Sequence, residues 1–208
     1  MKKTIMSMLA AMTLLMTSCF STGLGTATTA NTGTSVLGNV LGSVLGNILL
    51  GGMTFDQSSL LGNWNYNAPG AAFTTENALN KAGGASAASA LVSSLASNYN
   101  NIGINKNNTS FSFQQGNKFA AKVNGIPFNG TYTYNQQNGE IALKTATETI
   151  KGNVIKNTNG AMGLMFDAGQ MTNVLQKEGK VSNKAAVQAV SKLCKSKNGA
   201  RVGFELTR

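Results

Sequence analysis

From residue 110 onward, apolar side chains recur at every second position, and that spacing admits little besides β-strands. Phe111 and Phe113 fall on one face. Phe119, Ala121 and Val123 fall together, with Lys118 and Lys122 pointing away. Successive side chains of a strand point to opposite sides, so each segment has one apolar and one polar face. Asn124-Gly125 is a two-residue hairpin signal. Ile126, Phe128, Tyr132 and Tyr134 then alternate with polar partners, and Asn138-Gly139 marks the next turn. Ile141 and Leu143 follow, then Ile150 and Val154, then Asn159-Gly160, then Met162, Leu164 and Phe166. The chain closes on Val202, Phe204 and Leu206, opposite Gly203, Glu205 and Thr207. An earlier strand runs through Leu60–Tyr66, with Gly62, Trp64 and Tyr66 on one face. That makes about eight antiparallel strands with one face buried, the pattern of a barrel or a sandwich.

Two breaks in the alternation read as helices. Between the first two strands, Thr74 or Thr75 is an N-cap and Glu76 lies in the first turn. Gly83-Gly84 interrupts, and a helix resumes over Ala85–Tyr99 with Ala88, Leu91, Val92, Leu95 and Tyr99 on one side. Before the last strand come two shorter helices. Gln170–Glu178 turns Met171, Val174 and Leu175 inward and stops at Gly179. Ser182 caps the second, whose apolar side holds Val187, Val190, Leu193 and Cys194. Cys194 therefore reads as a core thiol, with a reactive or intermolecular thiol as the alternative.

The N-terminus has a different character. Lys2 and Lys3 precede an apolar run, Ile5–Leu15, well short of the roughly 20 residues a spanning helix needs. Met16-Thr17-Ser18-Cys19 follows. This segment resembles the lipobox of bacterial lipoproteins, in which the cysteine takes a diacylglycerol and the preceding peptide is removed. Met16 stands where leucine is usual. The resemblance implies lipid attachment at Cys19 and anchoring in the cell envelope. Phe20 in place of Asp implies the outer membrane, facing the periplasm. No acidic cluster follows Cys19 to mark surface display.

Residues 21–35 are rich in Gly, Thr, Ala and Asn, without periodicity, and read as a tether. A repeat of period four follows: Val36-Leu37-Gly38-Asn39, Val40-Leu41-Gly42-Ser43, Val44-Leu45-Gly46-Asn47, then Ile48 to Gly52. On a helix the aliphatic pairs share one side, and Gly38, Gly42 and Gly46 line another. Three readings stand: a helix packed on the folded domain, an interfacial helix beside the lipid, and a self-association face. The chain thus divides into a signal (1–18), an anchor, tether and repeat helix (19–53), and a folded domain (54–208).

Composition narrows the chemistry. The charged fraction is 12%, about half the usual level. The formal charge is +10, and there is no histidine, so no imidazole base, no Ser-His-Asp triad and no His metal ligand exist. With Cys19 consumed by lipid, Cys194 has no disulfide partner. Asp56, Glu76, Glu140, Glu148, Asp167, Glu178 and Glu205 are scattered and read as solvated surface carboxylates. No metal site, cofactor or enzyme activity is expected. Lys118, Lys122, Lys144 and Lys151 should coat an outer wall, suiting solubility or an anionic membrane surface. Nucleic acid is not an expected partner, because the aromatics face inward.

Gly62-Asn63-Trp64, at the start of the first strand, resembles the Gly-x-Trp signature of lipocalins. More closely, the chain resembles an uncharacterised family of lipocalin-like bacterial lipoproteins. The matching features are the lipobox, the Val-Leu-Gly repeat, Leu60-Leu61-Gly62-Asn63-Trp64-Asn65-Tyr66, Lys81-Ala82-Gly83-Gly84, and the ending Arg201-Val202-Gly203-Phe204-Glu205-Leu206. The resemblance implies an eight-stranded antiparallel barrel. With the helical insertion after the first strand and the two short helices before the last, both read from the residues, the fold is mainly β. Those last two helices depart from the usual single lipocalin helix. The resemblance brings no activity with it. An eight-stranded barrel can enclose one small ligand. On that reading Trp64, Phe111, Phe113, Phe128, Tyr132 and Phe166 line a pocket for a small apolar or amphipathic molecule. The alternative is a structural or assembly lipoprotein acting through Val36–Gly52.

Overall fold

A computed structural model describes residues 53–208. The signal segment, Cys19, the tether and the Val36–Gly52 repeat lie outside the described residues. The described chain runs α1 (Gln57–Leu60), β1 (Gly62–Phe73), α2 (Glu76–Ala82), α3 (Gly84–Ile102), β2 (Ser110–Gln114), β3 (Lys118–Val123), β4 (Ile126–Asn135), β5 (Glu140–Lys144), β6 (Thr149–Lys156), β7 (Met162–Phe166), α4 (Ala168–Asn173), α5 (Lys184–Ser196) and β8 (Ala200–Thr207). The strands form one closed antiparallel barrel in sequence order, with β8 pairing back onto β1. Of the barrel and the sandwich that the alternation leaves open, the closed eight-stranded barrel is the fold, as the lipocalin resemblance implies.

Turn chemistry sets the register. At the β3–β4 hairpin both Asn124 and Gly125 have positive φ, 52° and 82°, the geometry of a type I′ turn. β1 is longer than its alternating stretch suggested, because it changes partner midway. It pairs with β2 over Gly62–Asn65 and with β8 over Asn65–Phe73, with a bulge at Asn67. Pro69 lies in the half paired on one side only, where its missing N–H leaves no ladder bond unmade.

The helices form where the capping residues allow. Thr75 Oγ1 accepts from Ala78 N, Gly83 takes the left-handed conformation, and α3 follows at once. All five residues expected on its apolar side are buried. The cap of α5 is a correction: Asn183, not Ser182, accepts from Ala186 N. The helix expected at Gln170–Glu178 begins two residues earlier on the Asp167 cap and widens into a π-turn over Val174–Glu178. On α5, Val187, Val190 and Cys194 are buried, and Leu193 is half-buried. The buried faces of α3, α4 and α5 share one core with the inward residues of the strands.

Candidate functional site

The barrel interior is built by the alternation itself. The inward positions on β1, β2, β3, β4, β7 and β8 carry aromatic or aliphatic side chains, except Gly62 and Gly130, and the rings meet in two groups. In the first, Phe204 is the hub: its centroid lies 5.6 Å from Phe111, 6.1 Å from Tyr66, 5.8 Å from Tyr99 of α3 and 6.4 Å from Phe166. Phe128 extends this group, edge-on to Phe111 at 6.3 Å and to Phe119 at 6.0 Å. In the second, Phe113 meets Tyr132 at 5.1 Å and Trp64 meets Phe55 at 5.4 Å, both edge to face. Edge-to-face pairs at these spacings add about 0.5–1.5 kcal/mol each beyond their area. The six residues read from the sequence as a ligand lining all face this interior and are all buried. The structure divides them: Phe111, Phe128 and Phe166 belong to the Phe204 group, and Trp64, Phe113 and Tyr132 to the end near α1.

That end is held by Trp64 and Arg208. The indole Nε1 donates to Leu60 O at 2.9 Å, and the Arg208 guanidinium lies 4.5 Å over the indole ring. Arg208 Nη2 also donates to Ser59 O and Leu61 O, so the last residue of the chain clamps α1 to the first strand. Beside α1 lies a cleft of about 250 Å³, bordered by Gln57, Ser58 and Leu61, by Gln114 at the end of β2 and by Gln115–Asn117 of the β2–β3 connection. Gln57 Nε2 donates to Asn117 Oδ1 across it at 3.1 Å. Tyr132 is the one expected lining residue that borders this cleft. Its hydroxyl is buried and makes no hydrogen bond. Desolvation raises its pKa, so the phenol stays protonated and can both donate and accept.

A larger cleft, about 490 Å³, runs over the outer wall, among Thr133, Asn135, Glu140, Ala142, Lys151, Asn153, Asp167 and Arg201. Two of its four charged side chains pair with each other. Arg201 pairs with Asp167 at 3.1 Å, and Asp167 Oδ1 also caps α4 by accepting from Gln170 N. Among the described residues, no group of three or more His, Cys, Asp or Glu side chains could hold a metal ion.

Two carboxylates overturn the expectation that all seven are solvated. Glu205 is 1% exposed and accepts from Asn67 Nδ2 at 2.8 Å and Asn157 Nδ2 at 3.3 Å. Glu178, also buried, accepts from the hydroxyls of Thr145 and Thr147. Alternation places Glu205 outward, and the bulge at Asn67 brings it one of its amide partners. Cys194 is a core thiol, as expected: Sγ donates to Ala200 O at 3.2 Å, and burial, with the nearby Asp167 charge, pushes its pKa up to about 11.

No curated protein and no solved structure matches the chain. One family model does, over residues 39–208, a span that starts inside the Val-Leu-Gly repeat. Its description, a lipocalin-like domain of unknown function, agrees with the closed eight-stranded barrel. The chain belongs to that lipocalin-like domain family, DUF4923.

Proposed function

We propose that the protein is a lipid-anchored binding module of the cell envelope, without enzyme activity, whose barrel takes a small amphipathic ligand through the cleft beside α1. The observation that carries this reading is Tyr132. A buried hydroxyl without a partner costs free energy, and this one sits between the cleft beside α1 and an aromatic interior. An apolar tail would displace or slip between the Phe113 and Trp64 rings while the Tyr132 hydroxyl holds a polar head. Such sites are mostly apolar with few polar groups fixing orientation.

The anchor in this reading is the lipid on Cys19, in the outer membrane, with the barrel facing the periplasm. Among the described residues no helix is long and apolar enough to cross a membrane. Lys118, Lys144 and Lys151 are exposed on the outer wall, where each basic residue near an anionic surface adds about 1 kcal/mol.

The test of ligand binding uses the mature chain with Cys19→Ala and cis-parinaric acid as probe. Saturable binding that quenches Trp64 emission is expected, and Tyr132→Phe should weaken it severalfold. Binding that is absent, or unchanged by Tyr132→Phe, rejects the site. The anchor is tested separately by fractionation: the Cys19→Ala chain should leave the membrane fraction, and retention there removes the lipid from the account.

A further inference from the structure

The outer face of an antiparallel sheet normally meets water and is polar. Across β6, β7, β8 and β1 it is not. One outward row reads Ile155, Gly163, Glu205, Ala68, and the next Asn153, Met165, Gly203, Gly70, with Ala72 opposite Arg201 beyond. All of these are buried except Asn153 and Arg201, which are half-buried at the rim of the wall. Ala72, Ile155 and Met165 form a hydrophobic cluster of their own, separate from the core that the helices share. The wall is also small-sided. A Cβ added to Gly70 of β1 or Gly163 of β7 would run into the Met165 methyl, which lies across both glycines.

We propose that this wall is the docking site of the chain's own Val36–Gly52 repeat. The path of the chain supports it. Phe55 packs inside against Trp64, and both its backbone groups bond the Tyr134 hydroxyl. Two residues earlier the chain is outside: the Met53 carbonyl accepts from Lys156 N at 2.7 Å, and the Met53 side chain is 47% exposed. Lys156 follows Ile155 on β6, so Met53 lies at the edge of the apolar wall.

The fit supports it too. In a helix, Gly38, Gly42 and Gly46 stand about 6 Å apart along one line. Ala68, Gly70 and Ala72 stand about 6.7 Å apart along β1. Two small-sided surfaces let backbones approach closely where the helix crosses β1. A 17-residue helix is about 25 Å long, enough to cross four strands at about 4.8 Å each on a diagonal. No charged residue occurs between Lys3 and Asp56, so the repeat has no electrostatic reason to avoid the wall. Tethering favours this occupant over a second copy, because a linked segment acts at high effective concentration.

The test places the photo-crosslinking residue benzoylphenylalanine at Leu41 or Leu45 in the mature Cys19→Ala chain, with phosphatidylethanolamine–phosphatidylglycerol vesicles added. Intramolecular adducts on Met165, Ile155 or Ala68–Ala72 are expected. Adducts to a second copy, to lipid, or to α2 and α3 overturn the proposal in favour of those occupants, and an absence of adducts overturns it outright. An independent measurement is elastase cleavage within residues 36–52. Met165→Lys should accelerate it on the order of tenfold by releasing the segment while Trp64 emission stays native; an unchanged rate in that folded variant rejects the docking.

Discussion

Removing a buried hydroxyl that has no partner relieves a desolvation penalty of about 1–3 kcal/mol. Tyr132 is such a group. Tyr132→Phe should therefore leave the thermal midpoint unchanged or raise it, even as it weakens ligand binding; a lowered midpoint would mean that the hydroxyl serves the fold. Cys194 gives a pH prediction. Its folded pKa is about 11 against 9.0 for a free thiol. The thiol's contribution is complete below pH 9 and is lost as pH rises toward 11, because only the unfolded chain releases its proton easily. Burial raises the pKa of Tyr66 and Tyr99 as well, so denaturant midpoints should fall steadily above pH 9 and stay flat from 7 to 8.5. Cys194 was legible in the sequence because helical spacing placed it beside Val187 and Val190. Glu205 was not: the bulge at Asn67 and the distant Asn157, whose amides both reach its carboxylate, are nothing a local pattern reveals.

Neighbouring strands approach so closely at some glycines that no side chain fits. A Cβ on Gly203 would land on the Leu164 carbonyl of β7, and the Gly203 carbonyl also accepts from the Tyr99 hydroxyl at 3.0 Å. Gly203→Ala should thus destabilise by about 1–3 kcal/mol, and Tyr99→Phe by about 1 kcal/mol. Urea denaturation read at Trp64 measures both; a Gly203→Ala chain as stable as the parent would show that β7 and β8 can separate freely. At this scale most of the fold was legible. Asn-Gly pairs and period-two runs placed β2 to β6 because each has a largely wet face to contrast with the other. β7 and β8, buried on both faces, were placed through the period-two recurrence of Met162, Leu164 and Phe166 and of Val202, Phe204 and Leu206. The second half of β1 was not legible. Ala68, Pro69, Gly70, Ala71 and Ala72 are small and buried on both faces, so no alternation survives. Of the candidate site, the inward aromatics were readable from parity, whereas the cleft beside α1 depends on Arg208 reaching back to Ser59 and Leu61.

The barrel closes between the two ends of the described chain, and closure makes its stability collective. β8 lies between β1 and β7, supplies Phe204 as the hub of the aromatic interior, and ends in the guanidinium that clamps α1. Such contacts are distant in sequence, so they form late and their loop-closure entropy is recovered only when the ring is complete. Two truncations separate the clamp from the closure. Deleting Arg208 alone removes a cation–π contact and two exposed hydrogen bonds, a loss of about 1–2 kcal/mol that leaves the ring intact. Deleting residues 200–208 strips the partner from both β1 and β7 and exposes two long edges, which invite aggregation. The first chain should unfold cooperatively at a lower urea midpoint. The second should show no sigmoidal transition at Trp64 and should bind a hydrophobic dye before any denaturant is added. If it instead kept a cooperative transition near the parent midpoint, the strands from β1 to β7 would be stable as an open sheet, and closure would not be what holds this domain together.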